Sequence, residues 1–208
     1  MKGGALLSRY FLPQENLAFV PNHRLRYLSL SVACLGIAFI LGIIGLYLMP
    51  ESVTHWTKQK FGLISWLENV HLGPVFDNDL FVFNWVLHPY FGAIYYMQAR
   101  VAGYRFLTGV VFTALVSTFF WEYGLEAFVE IPSIQDLICT PTLGPLVGEI
   151  FYRISQRLQQ PNKLPKIFTE CALFFLDFIG FSIQKLGFAK ACGICNKNAI
   201  YHQSTPKC

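Results

Sequence analysis

Three residues of this chain, His88, Glu122 and Asp136, combine types that do chemistry with positions in or beside segments apolar enough to cross a membrane. An ionisable side chain in hydrocarbon is costly, so it faces a bundle interior or a water-filled cavity and often has a task there. A histidine beside carboxylates supplies a proton acceptor, because the carboxylate fixes the imidazole tautomer and raises its basicity. The same three groups could hold a divalent metal ion, since oxygen ligands with one imidazole suit several such ions. Asn84 shares a helix face with His88, four residues on. Glu126, Ser133 and Thr140 complete a candidate substrate-binding set. Ser133 follows Pro132 and is placed to cap a helix, with Asp136 three residues later as in a capping box.

The elements that must position these residues are membrane helices. Of the 208 residues, 54% are hydrophobic and 13% charged. Ordinary soluble chains carry about 25% charged residues, and the mean hydropathy of +0.43 points the same way. The expected class is an all-α integral membrane bundle of four or five transmembrane helices. Residues 28–49 contain no charge and are long enough to span a hydrocarbon core of about 30 Å. Further runs cover 80–99, 106–123 and 137–154. A fifth, 167–188, carries Glu170 and Asp177 and reads either as a span or as an aromatic-rich helix on the membrane surface. Residues 63–70 have the spacing of a short amphipathic helix lying on the membrane. The organisation is thus a lead-in at 1–27, a helical domain at 28–188 with its motif region at 84–153, and a cysteine-containing tail at 189–208.

Loop charges order the spans. The lead-in, the 100–105 turn and the 153–166 loop are basic, whereas 126–136 is acidic, which puts the N-terminus in the cytoplasm and the acidic connection outside. The net charge of +4 is spread between apolar segments and forms no nucleic-acid footprint. With this orientation Asn84, His88, Glu122, Glu126 and Asp136, from three helices, reach one depth near the outer face. Arg100, Arg105, Glu149 and Arg153 gather at the inner face as an ion-pair staple. Gly144 and Gly148 form a small-xxx-small pair suited to helix packing. In the tail, Cys192, Cys195, His202 and Cys208 could close a zinc site, pair as a disulfide, or belong to an unstructured end.

The motif Asn84-x3-His88-Pro89-x2-Gly92-x2-Tyr95, then Ala99-Arg100-x2-Gly103, Trp121-Glu122-Tyr123-x2-Glu126 and Pro132-Ser133-x2-Asp136-Leu137-x2-Thr140-Pro141-x2-Gly144-x3-Gly148-Glu149 with Tyr152-Arg153, resembles an uncharacterised bacterial envelope family known as a domain of unknown function. More remotely, a glutamate ending one helix and Ser-x2-Asp-x3-Thr-x3-Gly-x3-Gly opening the next is similar to VanZ-like membrane proteins, with Thr140 where asparagine is commoner. The resemblance implies a place in the bacterial envelope and names no reaction; the expected location is the bacterial inner membrane. No Ser/His/Asp context, HExxH or phosphate-cradling glycine loop narrows the class. Because lipid head groups lie at the depth of the cluster, the expected activity is hydrolysis or transfer on a lipid-linked substrate. The alternative is a non-catalytic scaffold or partner-binding subunit whose polar residues pair off with one another.

Overall fold

In the computed structural model, which describes residues 21, 23–54, 56, 61–159 and 164–188, the apolar runs fold as helices. Helix α1 (Arg24–Leu48) is followed by a single turn, α2 (Glu51–Thr54), and by α3 (Leu63–Leu72), the expected amphipathic helix. A π-helical stretch, Phe83–Leu87, leads directly into α4 (His88–Val101). Helix α5 (Phe106–Leu115) continues through a longer π-helical stretch, Val116–Leu125, and a 3-10 turn, Glu126–Phe128. Then come α6 (Ile134–Leu158), α7 (Lys166–Leu176) and α8 (Phe178–Lys185). The first π turn has a local cause. Pro89 has no N–H to donate and its ring crowds the carbonyl four residues back; the wider turn relieves this, with the His88 N–H reaching the Phe83 carbonyl.

Glycines decide how the central helices meet. A Cβ on Gly92 of α4 would stand 2.6 Å from the Thr140 carbonyl and 2.9 Å from Gly144 Cα of α6, and one on Gly144 would stand 2.6 Å from Gly92 Cα. The two backbones therefore touch, and His88, one turn before Gly92, is brought opposite Asp136 and Thr140. Lower on the same interface Tyr96 is wedged between Gly109 of α5 and Gly148 of α6, whose added Cβ atoms would lie 2.6 and 2.7 Å from its ring. Helix α1 joins through Phe39, edge-on to Tyr95 and Trp121 at 5.4 and 5.5 Å between centroids.

The bundle has two chemically different ends. At the basic end, Arg24 lies beside Gly103 in the turn after α4, near Arg100. At the acidic end, α3 donates Trp66 Nε1–H to the Tyr123 carbonyl (2.7 Å) and Asn69 Nδ2–H to the Ala127 carbonyl (3.0 Å). Large apolar side chains face outward between the ends, including Ile37, Leu41 and Ile44 on α1, Val111, Leu115 and Phe119 on the α5 run, and Ile138, Leu146 and Ile150 on α6. Tyr95 and Tyr96, from the aromatic stripe, are core residues.

Among the described residues, two helices are long and apolar enough to cross a membrane: Arg24–Leu48, with mean hydropathy 2.4, and the continuous Phe106–Phe128, with 1.3. The runs at 80–99 and 137–154 are helical, but α4 and α6 carry His88, Gln98, Arg100, Asp136, Glu149 and Arg153, which lower their hydropathy. Of the two readings of 167–188, the fifth span is corrected, because the run is not one continuous helix. Asp177 leaves helical geometry (φ −161°, ψ 77°) and its carboxylate caps α8 by accepting from the Gly180 N–H. The resulting pieces of 11 and 8 residues are about 17 and 12 Å long at 1.5 Å per residue. Residues 1–20 of the lead-in and the tail at 189–208, with Cys192, Cys195, His202 and Cys208, lie outside the described residues.

Candidate functional site

The acidic end is assembled by two loops stitched together. The Val75 N–H donates to the Pro132 carbonyl (3.0 Å) and the Ile134 N–H to the Val75 carbonyl (2.8 Å). Gln135 clamps the Asp77 backbone, donating from Nε2 to its carbonyl (3.0 Å) and accepting from its N–H (3.2 Å). Asp77 is thereby carried into the cluster, where Oδ1 accepts from Asn84 Nδ2 (2.7 Å) and Oδ2 accepts from the Ser133 hydroxyl.

Ser133 caps α6, its Oγ accepting from the Asp136 N–H at 3.2 Å. The reciprocal half of a capping box is taken by another helix, since the Ser133 N–H donates to Glu122 Oε2 at 3.2 Å. The Asp136 side chain is thus left for His88. Asp136 Oδ2 lies 3.3 Å from His88 Nε2, and Thr140 Oγ1 lies 3.0 Å from His88 Nδ1. In the tautomer with the proton on Nδ1, the ring donates to Thr140 and aims the Nε2 lone pair at the carboxylates. Ligand atoms of His88, Glu122 and Asp136 all lie within 4.8 Å of one another. Three atoms about 2.1 Å from one ion in tetrahedral geometry stand about 3.4 Å apart, so an inward movement of up to roughly 1 Å would bring all three onto one ion and leave its remaining position to water.

Of the expected substrate-binding residues, Asn84, Ser133 and Thr140 therefore sit in this network as partners of Asp77, Glu122 and His88. Glu126 is buried and not solvated. Its Oε2, with Asp136 Oδ1, Glu130 Oε2 and Asn84 Oδ1, is buried with no hydrogen-bond partner among the described residues. The charged groups that act on Glu122, Glu126 and Asp136 are other carboxylates, among them Asp77, Asp79 and Glu130.

Glu130, in the loop before α6, is pushed up to about 8, first by burial and then by the charges of Asp79 and Asp77. In the unfolded chain a glutamate ionises near 4.3. Between those values the folded protein keeps a proton that the unfolded chain has released, so stability falls as pH rises from about 4 to about 8. In chelator-treated protein, Tm is expected to decline across this window, and Glu130→Gln to flatten the decline and raise Tm at its alkaline end. An unchanged slope in the variant would assign the effect elsewhere.

A family model described as a domain of unknown function, DUF3943, matches residues 73–179, just over half of the 208 residues. The chain belongs to the DUF3943 family. The DUF3943 region runs from the loop that carries Asp77 into α8 and contains every residue of the cluster, while α1 and α3 precede it. No curated protein and no solved structure matches the chain.

At the basic end the DUF3943 region holds the expected staple with one correction. Glu149 accepts from Arg100 Nε (2.9 Å), Arg153 Nε (3.0 Å) and the Tyr96 hydroxyl (2.6 Å). Arg100 also donates Nη1–H to the Tyr104 carbonyl (2.7 Å) and lies 4.4 Å from the centroid of the Tyr152 ring. Arg105 is exposed and takes no place at Glu149, whose two oxygens are already filled by Tyr96, Arg100 and Arg153. Asp77 is the residue that sequence reasoning missed. Its one signal is local: Asp77 and Asp79, two short acids just before an apolar helix, a position where such side chains turn back onto backbone N–H groups.

Proposed function

We propose that this DUF3943 protein is an integral membrane protein of the bacterial envelope whose acidic end binds a divalent cation and carries out hydrolysis or group transfer on a lipid-linked substrate. The observation that carries the reading is the pair of buried oxygens, Asp136 Oδ1 and Glu126 Oε2, left without hydrogen-bond partners among the described residues beside the His88, Glu122 and Asp136 group. Unpaired buried carboxylates are costly, and a bound cation with its water would satisfy them. A scaffold reading needs the same residues paired off, and these oxygens weigh against it.

In this reading α1, residues 81–101, residues 106–128 and α6 are four spans. Their outward apolar side chains support that, as does the concentration of charge at the two ends. Arg24, Arg100, Arg105, Arg153 and Arg157 cluster toward one end, which the positive-inside rule makes cytoplasmic. Substrate reaches the acidic end from the lipid beside Trp85 and Ile138, both exposed.

A bound ion supplies Lewis acidity and lowers the pKa of water. Glu122, Asp136 and His88 Nε2 would hold it, with Thr140 fixing the imidazole ring. Glu126 takes the proton released when water attacks the phosphoryl or acyl centre, and returns it to the departing oxygen as that bond breaks. The test is a lipid comparison of cells making the wild type, His88→Ala or Glu122→Gln at equal membrane levels. One lipid-linked species is expected to accumulate in both variants; unchanged envelope lipids would count decisively against catalysis.

A further inference from the structure

Helices α7 and α8 turn back on one another. Lys185, at the end of α8, pairs with Glu170 in the first half of α7. Phe174 packs on Phe178 and Phe181, with centroids 6.3 and 5.8 Å apart. Both open ends of the hairpin are therefore at the basic end of the bundle, where α6 finishes. The turn between them is held inside the bundle: Asp177 is 5% exposed and accepts from Gln98 Nε2 at 2.7 Å and from the Gly180 N–H at 2.9 Å. The Tyr90 hydroxyl donates to the Phe175 carbonyl at 2.8 Å. Gln98 lies one turn from the end of α4 at Val101 and Tyr90 about three turns from it, so the tip stands between those levels, part-way along the bundle.

The outer face of the hairpin is apolar and is covered by no element among the described residues. Ile167, Phe168 and Phe175 are 69, 57 and 67% exposed. We infer that α7–α8 is a re-entrant hairpin seated in the leaflet at the basic end, with this aromatic face against acyl chains, so that the chain enters near residue 164 and leaves near residue 188 on the same side. The inference rests on the membrane placement proposed above. Three observations select lipid as the occupant. Neither helix, at about 17 and 12 Å, reaches across a core of about 30 Å. The exposed face lies beside α6, since Tyr90, bonded to the Phe175 carbonyl, packs on Phe151 at 6.1 Å between centroids, and the neighbouring Ile150 and Ile154 are themselves exposed. Lys166 and Lys185 stand at the open ends, level with the place of lipid phosphates, where long basic side chains settle.

The decisive experiment labels full-length Leu164→Cys, Leu186→Cys and Asn78→Cys with an impermeant maleimide in sealed vesicles of each orientation, each site being resolved by mass spectrometry. Positions 164 and 186 are expected to label from one face and position 78, at the acidic end, from the other. Labelling of 164 and 186 from opposite faces would overturn the hairpin while leaving a membrane protein. Release of the wild type by alkaline carbonate would overturn the membrane placement itself. A Phe175→Trp variant tests the lipid face separately: brominated acyl chains should remove its added fluorescence, and full retention of that fluorescence would reject acyl contact.

Discussion

Replacing His88 by alanine or Asp136 by asparagine is expected to weaken binding of Mn2+ or Zn2+ to the purified protein at least about a hundredfold, equivalent to about 2.7 kcal/mol. The magnitude follows from the smallness of the ligand set. His88 supplies the one nitrogen in a group whose atoms lie within 4.8 Å of one another, and Asp136 supplies both an oxygen facing His88 and a second oxygen with no partner among the described residues. Asparagine keeps the size of the side chain while removing its charge, so the helix cap made by Ser133 and the Asp136 N–H survives. Thr140→Val is expected to do less, about tenfold, because it only frees the imidazole ring to turn. Titration calorimetry on metal-stripped protein reads all three, and a fixed concentration of ion should stabilise each by RT ln(1 + [L]/Kd), with the largest rise in Tm for the wild type. A wild type that takes up no ion, or variants that match its affinity, would remove the metal from the proposal.

The second large effect is at the other end. Glu149→Ala is expected to cost about 3–5 kcal/mol of stability, the range for breaking one side of a buried ion pair. Arg100 is 6% exposed at its side chain and would keep only the Tyr104 carbonyl and the Tyr152 ring. The Tyr96 hydroxyl, fixed between two glycines, would lose its acceptor as well. Adding Arg100→Ala should recover part of the loss, because the stranded charge leaves with it. Unfolding in mild detergent gives the cycle; single variants within 1 kcal/mol of wild type, or additive losses, would mean that the staple does not hold α4 to α6. The outcome bears on the site, since the same interface sets His88 opposite Asp136 one end away.

Much of this organisation was legible in the chain. Polar residues in apolar helices have few places to go, so His88, Glu122 and Asp136 could be assigned to one depth from loop charge and helix pitch alone. The glycines at 144 and 148 announced close packing because a missing side chain in a helix has a steric meaning. Ser133 as a cap was equally local.

Other features depended on contacts far apart in sequence. Asp77 lies in the loop before residue 81, and only the pairing of that loop with residues 132–135 carries it onto Asn84 and Ser133. Arg105 had the right charge and the right loop, but Glu149 has two oxygens and nearer donors occupied them. The run at 167–188 has the apolar length of a span; what divides it is Asp177, whose carboxylate is worth more to Gly180 and Gln98 in the folded bundle than a continued helix would be. Composition and periodicity thus determined the helical class, the two charged ends and three residues that meet in the cluster, because hydrophobic burial and helix pitch act locally. Which acids meet, which arginine pairs and where a helix turns back were decided by tertiary packing, since each is a competition among partners that only the assembled bundle brings within reach.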